Sequence, residues 1–152
     1  MSLIRTDIMN AVKTRMQSIR TSAGYYTNLG SKVYEWRLTS FEDGDLPGIN
    51  IADPEQTTIN ELTQGNYNKH DHILSVSIQV VYSSSSTPAL VRKMIADVKK
   101  AISTDLTWCG LAYNTTATDE PETMDLEQKE GIYGSAFIKI NIYYRTTAWL
   151  ES

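Results

Sequence analysis

Residues 131–145 alternate in polarity for longer than any other stretch of the chain. Ile132, Ala136, Ile138, Ile140, Ile142 and Tyr144 fall on one side, and Tyr133, Ser135, Lys139, Asn141, Tyr143 and Arg145 on the other. Successive side chains of an extended strand point to opposite faces, so the pattern predicts one strand with one apolar face. About 14 residues at roughly 3.3 Å each would span a whole domain. A second run, 70–83, repeats the arrangement with Leu74, Val76, Ile78, Val80 and Tyr82 set against Ser75, Ser77 and Gln79. Each run has a side that must be covered, and only a few kinds of layer can cover it.

Two segments have the period of such a cover. In residues 3–21, Ile4, Ile8, Val12, Met16 and Ile19 make a stripe at helical steps, with Arg5, Lys13, Arg15 and Arg20 off it and Ser2 as the expected N-cap. In residues 87–105, Leu90, Val91, Met94, Ile95, Val98 and Ile102 form a second stripe opposite Arg92, Lys93, Lys99 and Lys100. Thr87 can cap this helix, and Pro88 suits its first position, where the missing N–H costs nothing. Asp97 is expected to pair with Lys93 or Lys100 along the helix surface.

The remaining segments are shorter or less periodic. Residues 32–38 alternate, with Tyr34 and Trp36 expected to face the core, and 48–52 is a short strand suited to be its hairpin partner. Residues 53–69 read as a long polar excursion, and 105–112 as a tail that tucks Leu106, Trp108 and Leu111 inward. Residues 114–130 hold six acids against one lysine, with Met124 and Leu126 placed for an edge strand. Helices with one apolar stripe and strands with one apolar face predict an α+β fold. It has two layers, a mostly antiparallel sheet of four to five strands with both helices on one face, in a single domain over 1–152.

Composition excludes several functions. No run approaches the ~18 apolar residues of a membrane span, and the start of the chain lacks the layout of a signal peptide. A pI of 5.1 without a basic stripe argues against nucleic acid. Cys109 is the only cysteine and is expected to act as a small buried hydrophobe. His70 and His72 could point the same way at a strand start, but no third histidine or metal-binding spacing accompanies them, and a wet strand end is expected. A small metal-dependent hydrolase built on that pair is the alternative from the enzyme class. No nucleophile, base and orienting group assemble in the sequence, so no catalytic residues and no cofactor are expected.

Charge is unevenly spread. Lys plus Arg against Asp plus Glu counts 6 against 2 in residues 1–40, 1 against 7 in 41–86, 4 against 2 in 87–118 and 3 against 7 in 119–152. The helices are basic outside and the intervening segments acidic, a pattern that suits head-to-tail association of copies.

Several stretches taken in order resemble one family. They are the first helix running into Ile19-Arg-Thr-Ser-Ala-Gly-Tyr-Tyr-Thr-Asn-Leu-Gly30 and Val33-Tyr-Glu-Trp-Arg37, then Leu46-Pro-Gly-Ile-Asn-Ile51, then Ile95-Ala-Asp-Val-Lys-Lys-Ala-Ile102 leading to Cys109-Gly-Leu-Ala112, and the closing Ile138-Lys-Ile-Asn-Ile-Tyr-Tyr-Arg-Thr146. Together they look like the tail terminator proteins, also called tail completion or minor tail proteins, of long-tailed bacteriophages and prophages. The resemblance implies a homohexameric ring that caps the tail tube, stops its polymerisation and offers a surface to the head-completion protein. It implies a place in the virion tail, reached from the host cytoplasm, and no catalytic residues. Another head–tail connector or a tail tube subunit is the alternative within the particle. On this reading the expected subunit and tube contacts are Arg15, Arg20, Lys99 and Lys100 against Asp53, Glu55, Glu61, Asp119, Glu120, Glu122, Asp125 and Glu127.

Overall fold

The computed structural model describes residues 3–59, 69–125, 133–147 and 149–150. The long alternating runs become the two central strands, β3 (Lys69–Ser83) and β6 (Tyr133–Thr147), paired antiparallel along their whole lengths. Their apolar residues lie directly opposite one another, Leu74 against Ile142, Val76 against Ile140 and Ile78 against Ile138, and all six are buried. Each buried aliphatic side chain of this size contributes about 1.5–3 kcal/mol relative to exposure, so this register outweighs any one-residue slip, which would turn the row into water.

The helices α1 (Ile4–Gln17) and α2 (Pro88–Ser103) both pack on that apolar face, and one continuous core joins Ile8, Val12 and Met16 to Val91, Met94 and Val98 across the strand residues. The result is a two-layer α+β fold with both helices on one side. Thr87 caps α2 as expected, its Oγ1 accepting the Leu90 N–H at 3.2 Å with Pro88 in the first turn. The first helix ends at Gln17 rather than 21, and Ile19 is buried just beyond it. Its N-cap position is Leu3, with no side-chain cap, while the expected Ser2 lies outside the described residues. Gly30 then passes so close to the end of α1 that a Cβ there would stand 2.5 Å from the Met16 carbonyl oxygen, which makes glycine obligatory.

Among the described residues the sheet has six strands, not four to five. Besides β3 and β6 these are β1 (Val33–Glu35), β2 (Gly48–Ile59), β4 (Asn114–Ala117) and β5 (Thr123–Asp125), in the order β1-β2-β3-β6-β4 with β5 also on β6. Three expectations are corrected here. First, β1 and β2 are parallel and not a hairpin, because the chain leaves β1 at Trp36 and returns over residues 36–47 before re-entering the sheet. Second, β2 continues to Ile59 along β3, so 53–59 belong to the sheet; the alternation is hidden because the register shifts between Ala52 and Glu55, around Pro54, which has no N–H to give to a ladder. Third, the acidic stretch supplies two edge strands on β6 where one was expected: 123–125 contains Met124 as expected, while Leu126 lies outside the described residues, and 114–117 is a further strand across a loop.

Side-chain directions near β1 also differ from expectation. Val33 packs on the core, whereas Tyr34 turns to the other face. There the Tyr34 and Phe41 rings touch, and the Arg37 guanidinium lies over both, 4.7 and 4.6 Å from their centroids, and pairs with Asp45 at 2.8 Å. Asp45 also accepts the Glu42 N–H, and these two contacts hold its carboxyl below its ordinary range. Trp36 is 46% exposed and sits at φ 54°, a rare conformation for a bulky residue. In the segment after α2, Trp108 is fully buried and donates its indole N–H to Thr115 Oγ1 at 2.8 Å, whereas Leu106 is exposed and Leu111 half-buried. Cys109 is exposed, not buried, in a turn at φ 62°.

Candidate assembly surfaces

The outward side of the helix layer is one surface. Arg20, Arg92, Lys93, Lys99 and Lys100 are exposed there, beside Tyr26. Asp97, also on α2, is buried. Its two carboxylate oxygens accept the Tyr26 N–H at 3.0 Å, the Thr27 N–H at 2.9 Å and the Thr27 hydroxyl at 2.6 Å. The expected pairing of Asp97 with Lys93 or Lys100 is therefore replaced by a clamp on the 24–28 loop. A buried carboxylate needs several donors, and backbone N–H groups of a loop supply them at fixed positions. Held so, Tyr26 lies 5.9 Å from the Lys93 ammonium and Tyr25 5.0 Å from that of Lys100, which also donates to the Gly24 carbonyl at 2.9 Å. Arg20, Arg92 and Lys93 have no carboxylate partner among the described residues, so this face carries unpaired positive charge.

Arg15 does not belong to that surface. It turns under the end of α2, where Nη1 donates to the carbonyls of Ala101 at 3.1 Å and Asp105 at 3.0 Å, and its guanidinium lies 4.4 Å from the Trp108 ring centroid. Positive charge at a helix C-terminus satisfies carbonyls that have no partner in the helix and opposes the dipole. Asp105, in turn, accepts from the Thr107 hydroxyl and N–H and from the Cys109 N–H. These bonds, the Thr107 hydroxyl foremost, with Arg15 nearby, lower its pKa to about 2.

The second surface is the far edge of the sheet, made by β4, β5 and the loop between them. Asp119, Glu120 and Glu122 are exposed there; β5 contains Asp125, whose side chain is not described. Glu122 pairs with Lys99 at 2.6 Å, and Glu120 pairs with Lys139. Two of the charges expected to join neighbouring subunits thus meet inside one subunit. Between α2 and this edge opens a cavity of about 350 Å³, with Ile102, Leu106, Ile138 and Ile140 as apolar lining and Lys99, Glu120, Glu122 and Lys139 around it. Thr118 also lines it, and its Oγ1 is buried with no hydrogen-bond partner among the described residues.

Among the other expected contacts, Asp53 is bound to its own chain. It pairs with Arg5 at 2.7 Å and accepts the Trp36 indole N–H at 2.7 Å, so that an arginine and a carboxylate fix an exposed tryptophan at the β1 edge. Glu55 is exposed on the opposite side of the sheet, near Lys139, while Glu61 and Glu127 lie outside the described residues. The structure therefore brings Lys99 and Glu122 together, leaves Arg20, Glu55 and Asp119 free at the surface, and turns Arg15 and Asp53 inward.

The histidine pair is buried rather than wet. His72 Nε2 meets the Thr146 hydroxyl at 2.7 Å and Nδ1 the Thr58 hydroxyl at 3.0 Å, and its ring stacks on Tyr144. With both nitrogens engaged, it could bind a metal only by giving up a hydrogen bond. Among the described residues no three of His, Cys, Asp and Glu are grouped to hold a metal ion. No described helix is long and apolar enough to cross a membrane.

Asp97, Trp36 and the cavity were missed from sequence. Asp97 had a signal, since it falls among Met94, Val98 and Ala101 on the buried side of α2, where a carboxylate needs a partner from elsewhere. No protein-family model and no curated protein matches this chain.

Proposed function

We propose that this chain is a structural protein that works by self-association through two unlike surfaces. The observation that carries this reading is their separation in the fold. Arg20, Arg92 and Lys93, which have no carboxylate partner among the described residues, are exposed on the helix side, with Lys93 over a clamped tyrosine, and the acids Asp119, Glu120 and Glu122 lie on the β4–β5 edge. A contact between two different patches is heterologous, and such contacts close into rings or run on as filaments. Within that class, the resemblance of the chain's ordered motifs favours a tail terminator of a bacteriophage or prophage. Such a protein acts as a ring on the tail tube that ends tube growth and receives the head-completion protein.

Light scattering across a concentration series tests the class. A single assembly of fixed mass that weakens above ~0.15 M salt supports charge-steered ring formation. Charge reversal of Arg20, Arg92 and Lys93 together, which spares Arg15 and Asp97, should shift the assembly toward monomer. Filaments would favour a tube subunit instead. A chain that stays monomeric at every concentration and does not bind purified tail tubes would overturn the proposal.

A further inference from the structure

The acids on the β4–β5 edge sit in a short loop, Thr118-Asp119-Glu120-Pro121-Glu122, between two short strands. Three carboxylates in so short a span repel one another unless cations stand beside them. The backbone does little to hold them. Thr118 donates its N–H to the Lys139 carbonyl at 3.4 Å, and the ladder resumes at Thr123, opposite Phe137, but residues 119–122 make no backbone hydrogen bond among the described residues.

Two lysines fasten the loop instead, one from each layer of the fold. Glu122 meets Lys99 of α2 at 2.6 Å, on the side of the helices. Glu120 pairs with Lys139, which stands between the buried Ile138 and Ile140 on β6 and so points away from the helices. Beyond these two pairs, Asp119, Glu120 and Glu122 form no ion pair or side-chain hydrogen bond among the described residues. The lysines therefore keep two of the three acids against their own sheet edge, and the charge of those two acids is already answered within the chain. Arg20, Arg92 and Lys93 are in the opposite condition, with no carboxylate partner among the described residues.

We propose that Lys99 and Lys139 form an autoinhibitory latch on self-association: they hold Glu120 and Glu122 within the single chain, and the cations of a second copy reach those acids by displacing them. The proposal rests on the self-association reading and adds its control. Both pairs are solvent-exposed, and a pair of this kind shifts an equilibrium by roughly 1.4–5-fold, so the two together oppose association by roughly 2–30-fold. The consequence is a difference of sign. Removing positive charge at Arg92 and Lys93 weakens the contact, whereas removing it at Lys99, on the same helix, and at Lys139 strengthens it.

Two variants of the full chain with equal net charge make the test, Lys99→Gln with Lys139→Gln and Arg92→Gln with Lys93→Gln, each followed by sedimentation across a concentration series at low salt. Substitution is needed because salt screens the latch and the contact between copies alike. The first variant should associate ~2–30-fold more tightly than the parent and the second more weakly, both with an unchanged urea midpoint. In dilute monomer, backbone order parameters at Asp119, Glu120 and Glu122 should fall below ~0.6 in the first variant and keep the parent's values in the second. Association unchanged or weakened in the first variant, or order parameters that do not fall, overturns the latch and leaves self-association to be judged on the second variant. Parent and both variants monomeric at every concentration overturn self-association and the latch together.

Discussion

Replacing Asp97 should destabilise the fold more than any substitution of the exposed charges on the same helix. The carboxylate is 1% exposed and accepts three hydrogen bonds, from the Tyr26 N–H, the Thr27 N–H and the Thr27 hydroxyl, at 3.0, 2.9 and 2.6 Å. Bonds to a charged group contribute ~1.5–3 kcal/mol each, and a buried N–H left without a partner costs ~1–3 kcal/mol. Tyr26 is 69% exposed, so in Asp97→Ala the loop can swing out and rehydrate its amides. The net loss is then about 3 kcal/mol, not the sum of three bonds. Asp97→Asn is the sharper test. Its one carbonyl oxygen can serve Thr27, but its NH₂ must then face the Tyr26 N–H, donor against donor, so this isosteric change should still cost about 2 kcal/mol. Urea unfolding of both variants at pH 7 measures the loss, and amide exchange at Tyr26 and Thr27 locates it. An asparagine variant within ~0.5 kcal/mol of the parent, or a loss without faster exchange at those two amides, would refute the clamp.

Two further outcomes follow from the end of α2. Arg15→Ala should cost about 1–2 kcal/mol, because the Asp105 carbonyl loses its donor and Trp108 its cation while the Ala101 carbonyl keeps the Thr104 hydroxyl, whereas Arg15→Lys should recover only part of this, since one ammonium cannot reproduce the guanidinium fork; differential scanning calorimetry of the pair measures it. The Asp105 carboxyl, lowered from 3.8 to about 2, stabilises the fold fully above its unfolded value and loses that contribution as pH falls from about 4 through 2; Asp105→Asn should remove this dependence, and an acid-unfolding curve unchanged between pH 4 and 2 would count against the Thr107 and Cys109 bonds as its cause.

The parts of the fold that were legible in the sequence are those where period alone decides. The rows of β3 and β6 and the stripe of α2 run along elements of 15, 15 and 16 residues, and a stable register has to bury them. What was hidden depends on contacts between distant segments. The second half of β2 is polar on both sides and crosses a register shift at Pro54, so it has no period to read; it is a strand because β3 offers it a ladder. β4 and β5 are only four and three residues long, with the acids Asp119, Glu120 and Glu122 in the loop between them, and they exist because β6 is long enough to carry both. The parallel pairing of β1 with β2 depends on where residues 36–47 return the chain, which nearest-neighbour chemistry does not encode.

The same distinction governs the surfaces. Arg15 and Arg20 look alike in sequence, both basic and both off the α1 stripe, yet Arg15 faces the carbonyls at the end of α2 and Arg20 faces water. Asp53 likewise looks like any loop acid until Arg5, 48 residues away, and Trp36 converge on it. A charge is available to a partner only if its own fold has not already supplied one. By that criterion Lys99 and Glu122, whose mutual pair is exposed and weak, remain exchangeable, and Arg15 and Asp53, part-buried and bonded at several atoms, do not. Under the proposed self-association the available groups are therefore Arg20, Arg92 and Lys93, the acids Glu55 and Asp119, and the exchangeable Lys99 and Glu122. Loss of assembly on reversing the first three, with the urea midpoint unchanged, would distinguish a contact surface from a structural one.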